Sequence, residues 1–143
     1  MASFKTAFIP LTTVAAAQGN GDALTTMTTI GSIPKNGIIM SASIIDLGRA
    51  TGINCDIYLS QHSFTETTIN SPFDPSDTDI LNCVGVVLVD TWKAFNDSCL
   101  GVVDNVGLVY YAPESKLYTQ LITRGTPTPG SASDMVLSLG IAW

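Results

Sequence analysis

Ile53-Asn54-Cys55-Asp56-Ile57-Tyr58-Leu59-Ser60 alternates without a break, with Ile53, Cys55, Ile57 and Leu59 on one side and Asn54, Asp56, Tyr58 and Ser60 on the other. A period of two is that of a β-strand buried on one face, because successive side chains of an extended chain point to opposite sides of a sheet. The C-terminal stretch repeats the pattern, with Met135, Leu137, Leu139 and Ile141 opposed to Asp134, Val136, Ser138 and Gly140. Residues 116–123 follow it more loosely, and residues 24–30, 38–47, 84–89 and 106–111 are further strand candidates. The turns between them have identifiable causes. Pro34-Lys35-Asn36-Gly37 suits a tight turn, since Pro presets φ and Gly accepts the left-handed region. Ala112-Pro113-Glu114-Ser115 reads as a short hairpin loop, and Thr126-Pro127-Thr128-Pro129-Gly130 lacks the N–H groups a ladder needs. Short strands at this spacing predict an all-β fold, an antiparallel sandwich or a barrel. A helix is hard to place: the best stretch, residues 91–100, is short and holds Asn, Asp and Ser in its second half. Residues 69–79, with Pro72 and Pro75, read as a long loop.

The chain has 143 residues, which fits one domain with a core large enough to need no metal or disulfide staple. Charged residues make up only 13% while 45% are apolar, so much of the surface is expected to be covered by partners. The formal net charge is -6, and the six bases (Lys5, Lys35, Arg49, Lys93, Lys116 and Arg124) stand singly. Nucleic-acid binding calls for clustered Lys and Arg, so no nucleic-acid partner is expected. No run approaches the roughly 18 apolar residues of a membrane span, and no membrane association is expected. Lys5, the stretch 7–14 and Ala15-Ala16-Ala17 loosely mimic a secretory signal, but Pro10, Thr12 and Thr13 interrupt it, and cleavage is not expected. Residues 1–18, rich in Thr and Ala, are expected to form an extended N-terminal arm docked on a neighbour or on its own sheet, ahead of a sandwich domain over residues 19–143.

The inventory for chemistry is sparse. Cys55, Cys83 and Cys99 lie far apart with no metal-ligand spacing, and read as small apolar residues, with one bridge among them left open. His62 is the only histidine, so any Ser-His-Asp or Cys-His arrangement would be built around it, yet nothing nearby marks a nucleophile elbow or an oxyanion loop. Asp74, Asp77 and Asp79 are the densest acids. They lack the alternation, the glycine and the distant glutamate of a calcium loop, and read as a solvated acidic loop. The run Val84-Gly85-Val86-Val87-Leu88-Val89 carries no phosphate-cradling glycine pattern. Trp92, Tyr110, Tyr111, Tyr118 and Trp143 are the aromatics a sugar-binding face would draw on. Core or interface packing is the commoner fate of such side chains, and Trp143 suits an interface anchor. No catalytic, cofactor-binding or metal-binding residue is assigned, and the chain is not expected to be an enzyme.

Two stretches carry a resemblance. Ile30-Gly31-Ser32-Ile33-Pro34-Lys35-Asn36-Gly37-Ile38-Ile39 resembles the strand, Ile-Pro-x-(x)-Gly, strand opening of small β-proteins encoded among the head and tail genes of tailed bacteriophages. The second starts at Val109-Tyr110-Tyr111, passes through Ser115-Lys116-Leu117-Tyr118 and ends with Thr123-Arg124-Gly125-Thr126-Pro127-Thr128-Pro129-Gly130-Ser131. It resembles those proteins' ending: a hairpin, a Gly-Thr-Pro-Thr-x-Gly loop and a last alternating strand. Together they cover about half the chain, and neither is a catalytic signature.

The resemblance implies a β-sandwich, often a jelly roll, and points to head decoration (cement) proteins. Those sit as trimers or other oligomers on the outer capsid and brace joints between hexamers and pentamers. It implies a major capsid protein as partner, a homotrimer as the favoured assembly, and no catalytic residues to carry over. On this reading the arm adds a strand to a neighbour or lies along the capsid surface. Synthesis in the host cytoplasm, with reduced cysteines, follows from the absence of a cleaved signal. The alternatives are a tail, neck or fibre component of the same virion, or a carbohydrate- or receptor-binding module using the aromatics and the loop from Asp74 to Asp79.

Overall fold

Alternating β-branched and apolar residues, punctuated by Pro and Gly, leave no segment that favours a long helix, and the chain folds as two antiparallel sheets packed face to face. The computed structural model describes residues 1–143. The strands are β1 (Ser3–Lys5), β2 (Ile9–Pro10), β3 (Thr28–Ile30), β4 (Asn36–Asp46), β5 (Cys55–Ser60), β6 (Cys83–Val89), β7 (Trp92–Ala94), β8 (Cys99–Tyr111), β9 (Leu117–Thr123) and β10 (Met135–Ala142), with one helical turn, α1 (Asp77–Ile80). A six-stranded sheet has the order β1-β10-β4-β8-β7, with β2 also on β10; a four-stranded sheet has the order β3-β9-β5-β6. If β1 and β2 count as one broken strand and the short β7 is set aside, eight strands remain. Only the β5–β6 connection then stays within a sheet, and the orders first-eighth-third-sixth and second-seventh-fourth-fifth are those of a jelly roll.

The core lies between the sheets. Leu137, Leu139 and Ile141 of β10 sit opposite Ile44, Ala42 and Ile39 of β4, and they meet Cys55, Ile57, Leu59, Leu121 and Val87 from the other sheet. The alternation read at residues 135–141 therefore faces the core as expected, and all four of its apolar residues are buried. A bulge at Met40 keeps this phase. Ile39 and Ala42 both point inward although they are three apart, because Met40 is skipped in the pairing with β10 and with β8.

The expectation that residues 53–60 form a strand buried on one face needs correcting, because all six residues of β5 are buried. Cys55, Ile57 and Leu59 face the core. On the other side Tyr58 is covered by the loop after β5, with Phe64 at 5.3 Å and Phe73 at 5.0 Å between ring centroids. Tyr118 and Ile122 of β9 complete this second small core. Fully buried Gln120 fixes the loop to the sheet. Its Nε2 donates to the Thr25 and Thr67 carbonyls at 2.8 and 2.7 Å, and its Oε1 accepts from Thr67 N. The stretch 91–100 is likewise no helix: β7 pairs with the start of β8, Trp92 opposite Gly101 and Ala94 opposite Cys99. The one helical turn falls in the stretch read as a loop, where the Ser76 hydroxyl caps it by accepting from Asp79 N.

Residues 1–18 lie on the domain's own sheet. Ser3, Phe4 and Lys5 pair with Ala142, Ile141 and Gly140, and Ile9 and Pro10 pair with Leu137 and Val136. Between the two pieces Thr6 N donates to Leu139 O, and Ser138 Oγ donates to Thr6 O. Beyond them Leu11, Thr13 and Gln18 are buried. The segment thus supplies the first strand of the jelly roll.

Candidate interaction surface

The structure separates the residues that chemistry would need together. His62 follows β5, and its Nδ1 lies 3.5 Å from Glu114 Oε1 in the β8–β9 turn. Glu114 also accepts from the Tyr118 hydroxyl at 2.9 Å, and that bond, followed by His62, holds its carboxyl below the usual range. Ser60 Oγ donates to the main-chain carbonyls of His62 and Asn82 instead of the imidazole, so Ser60 and His62 form no nucleophile–base pair. Asp74, Asp77 and Asp79 do not converge on a point where a metal could sit. The Asp79 carboxylate accepts from Thr65 N instead and helps seat the loop. Cys55, Cys83 and Cys99 are all free thiols. Burial pushes the Cys55 thiol far up, and burial likewise raises Cys83 and Cys99.

The five aromatics do not form one platform. Tyr110 and Tyr118 are buried, and the Tyr110 hydroxyl donates to Pro34 O just ahead of β4. Trp92 packs over Gly52 and Gly101. Only Tyr111 and Trp143 stand about half exposed. Trp143 meets Phe4 edge-on at 5.3 Å, and main-chain bonds in both directions tie it to Ala2. The interface anchor expected at the end of the chain is therefore exposed and held in place.

What the structure does gather is an apolar sheet face. On β10, β4 and β8 the positions alternating away from the core include Val136, Ser138, Gly140 and Ala142; Ile38, Ser41, Ser43 and Ile45; and Leu100, Val102, Asp104, Val109 and Tyr111; among these Ser43, Ser138 and Ala142 are buried. Asp104 is the single charge on these three strands; on the flanking strands Lys5 of β1, opposite Gly140, and Lys93 of β7, opposite Leu100, also turn outward. The outer face of an antiparallel sheet normally alternates to polar and charged residues. Val109 is 70% exposed and Tyr111 53%, and the bulge that preserves the core phase turns Met40 out to 42%. The small outward residues of β10 leave a shallow groove between Met40 on one side and Ser3 and Lys5 on the other. A second hollow lies against Ile38, Val109 and Trp143. On its rim Pro34-Lys35-Asn36-Gly37 is no tight turn, since Asn36 and Gly37 already pair with Tyr111 and Tyr110 as the start of β4, and a Cβ on Gly37 would come within 2.8 Å of Tyr110 Oη and 2.9 Å of Ala142 O. Glycine is needed there for close approach and not for a left-handed φ. Sequence reading missed Met40 and Val109, because an apolar run such as Ile38-Ile39-Met40 does not say which member a bulge will expel. No protein-family model matches the chain, and no curated protein matches it.

Proposed function

We propose that this chain is a structural virion protein of a tailed bacteriophage, a capsid decoration protein whose six-stranded sheet seats its apolar outer face on the major capsid protein and braces contacts between its subunits. The observation that carries the reading is the centre of that face, where β10, β4 and β8 turn only Asp104 outward as a charge, with Lys5 of β1 and Lys93 of β7 at its flanks. A solvated sheet has no reason to lack charge there, whereas a surface that meets a partner does. The jelly-roll order supports the reading, since that architecture recurs in capsid proteins, though it recurs in lectins too and does not by itself name a function. A brace works by adding buried contact between subunits that would otherwise part, and repeated attachment over a lattice raises its avidity without any reaction. The role asks for no catalytic group.

Quantitative mass spectrometry of purified particles tests this through copy number. Copies comparable to the major capsid protein are expected; a few per particle would replace this reading with a tail or vertex component. The face itself is tested by adding purified protein to heads that lack it. Val109→Lys, which places a charge on the most exposed part of the face, is expected to lower occupancy at least about tenfold with unchanged folding. Undiminished occupancy would remove this face from the interface.

A further inference from the structure

The four-stranded sheet ends on β6 (Cys83–Val89), an edge unlike the others in the molecule. An edge strand presents unpaired N–H and C=O groups that only another extended strand can satisfy in full, and proteins guard such edges with short strands, charges, prolines or bulges. The other edges carry these guards. β1, β3 and β7 are three residues each, with Lys5 in β1 and Lys93 in β7. β8 breaks its ladder over Asn105 to Gly107, with Asn105 left-handed at φ 57° and Gly107 at φ 67°. β6 has none of them beyond the bulge at Val84. The ten residues from Ile80 to Val89 contain no charge and no proline. No residue of β6 makes a main-chain hydrogen bond outside its pairing with β5. Next to that open edge Val86 is 51% and Leu88 46% exposed, because the loop that covers Tyr58 does not extend over them, and Leu81 is 83% exposed.

We infer that β6 pairs antiparallel with β6 of a second copy of this chain, joining the two four-stranded sheets into one continuous sheet across a two-fold axis. The segment is its own complement. Turned end for end about Val87, the segment sets Gly85 opposite Val89, Val86 opposite Leu88 and Val87 opposite its copy, so that core-facing residues meet core-facing ones and outward residues meet outward ones, with Asp79 and Asp90 outside the paired residues. A two-fold contact uses the same patch on both partners and closes at two chains. The assembly is then a dimer in place of the trimer that the phage resemblance implies, and it leaves the outer face of the six-stranded sheet free. It does not depend on where, or whether, the chain sits on a virion. One strand pair is a small contact, so reversible association near the micromolar range is expected, not an obligate dimer.

Sedimentation velocity on the full chain over a concentration series, from about 1 to about 100 μM, reads the stoichiometry. The expected result is reversible passage from 15.1 kDa to twice that mass. Hydrogen exchange on the unaltered protein is expected to slow with concentration at residues 85–89 and nowhere else in the strands. Val86→Lys sets like charges near each other across the two-fold and is expected to weaken association at least about tenfold. Met40→Lys, on the other sheet, is expected to leave it unchanged. A single-chain mass throughout the series, a three-chain species, or a dimer that survives Val86→Lys or is lost with Met40→Lys would each overturn the inference. If Val86→Lys fails to fold, the exchange pattern alone decides.

Discussion

Asp46 shows how one buried group ties the fold to pH. It closes β4 with only 2% of its surface exposed, opposite Met135 and Cys99, and its Oδ1 accepts from Gly48 N at 3.1 Å. Burial pushes its carboxyl above the usual range, and the Gly48 N–H and Arg49 only partly offset that. The folded state therefore holds this proton more tightly than the unfolded chain does. Its contribution is most favourable below the unfolded value and is lost as pH rises through the raised folded value. Asp46→Asn keeps an oxygen for Gly48 N–H without the buried charge. Thermal unfolding should then show a higher midpoint than the parent at pH 7, with the gain shrinking as pH falls toward the ordinary aspartate range. A gain independent of pH would show that ionisation is not its source. Asp56 is a different case: the Arg124 guanidinium lies on it through both Nε and Nη2, so its charge is matched in place.

At the scale of elements, the first ten residues do structural work. β1 and β2 cover the outer edge of β10, Phe4 and Ile9 pack against the core, and Thr6 bonds across to Leu139 and Ser138. Removing residues 2–10 would strip this edge and two partly buried apolar side chains, at a cost of about 2–4 kcal/mol. Urea unfolding should show that loss, and the truncated chain should aggregate more readily through the exposed β10 edge. A truncated protein as stable as the parent would mean that these residues serve attachment alone. A cut at residue 18 goes further, because Leu11, Thr13 and Gln18 are buried and the Thr13 hydroxyl donates to Leu24 O.

For the whole molecule, topology sets the folding rate. With β1 and β2 counted as one strand and β7 set aside, every connection except β5–β6 crosses from one sheet to the other, and β1 must find β10 across nearly the full length of the chain. Non-local pairing has to overcome loop-closure entropy before it is stabilising, so refolding is expected over about milliseconds to seconds. Stopped-flow fluorescence can follow it through Trp92, in the edge strand β7, and Trp143, just past the end of β10. Full recovery of native signal within microseconds would contradict this account. The sandwich is also asymmetric in its outer faces. A loop and a second small core cover most of the four-stranded sheet, while the six-stranded sheet leaves Met40, Val109 and Tyr111 exposed.

The alternation at residues 53–60 and 135–141 determined by itself that the chain is all-β and which side chains of those two strands share a face, because side-chain direction in a strand is a local property of the backbone. Which strands neighbour one another, and that the first ten residues complete a sheet closed by the last ten, was decided only by tertiary structure, since strand pairing joins residues more than a hundred apart. So was the candidate surface. The composition showed a shortage of charge, but only the packing of one sheet on the other, and the bulge at Met40, determined which apolar side chains face inward and which are left at the surface.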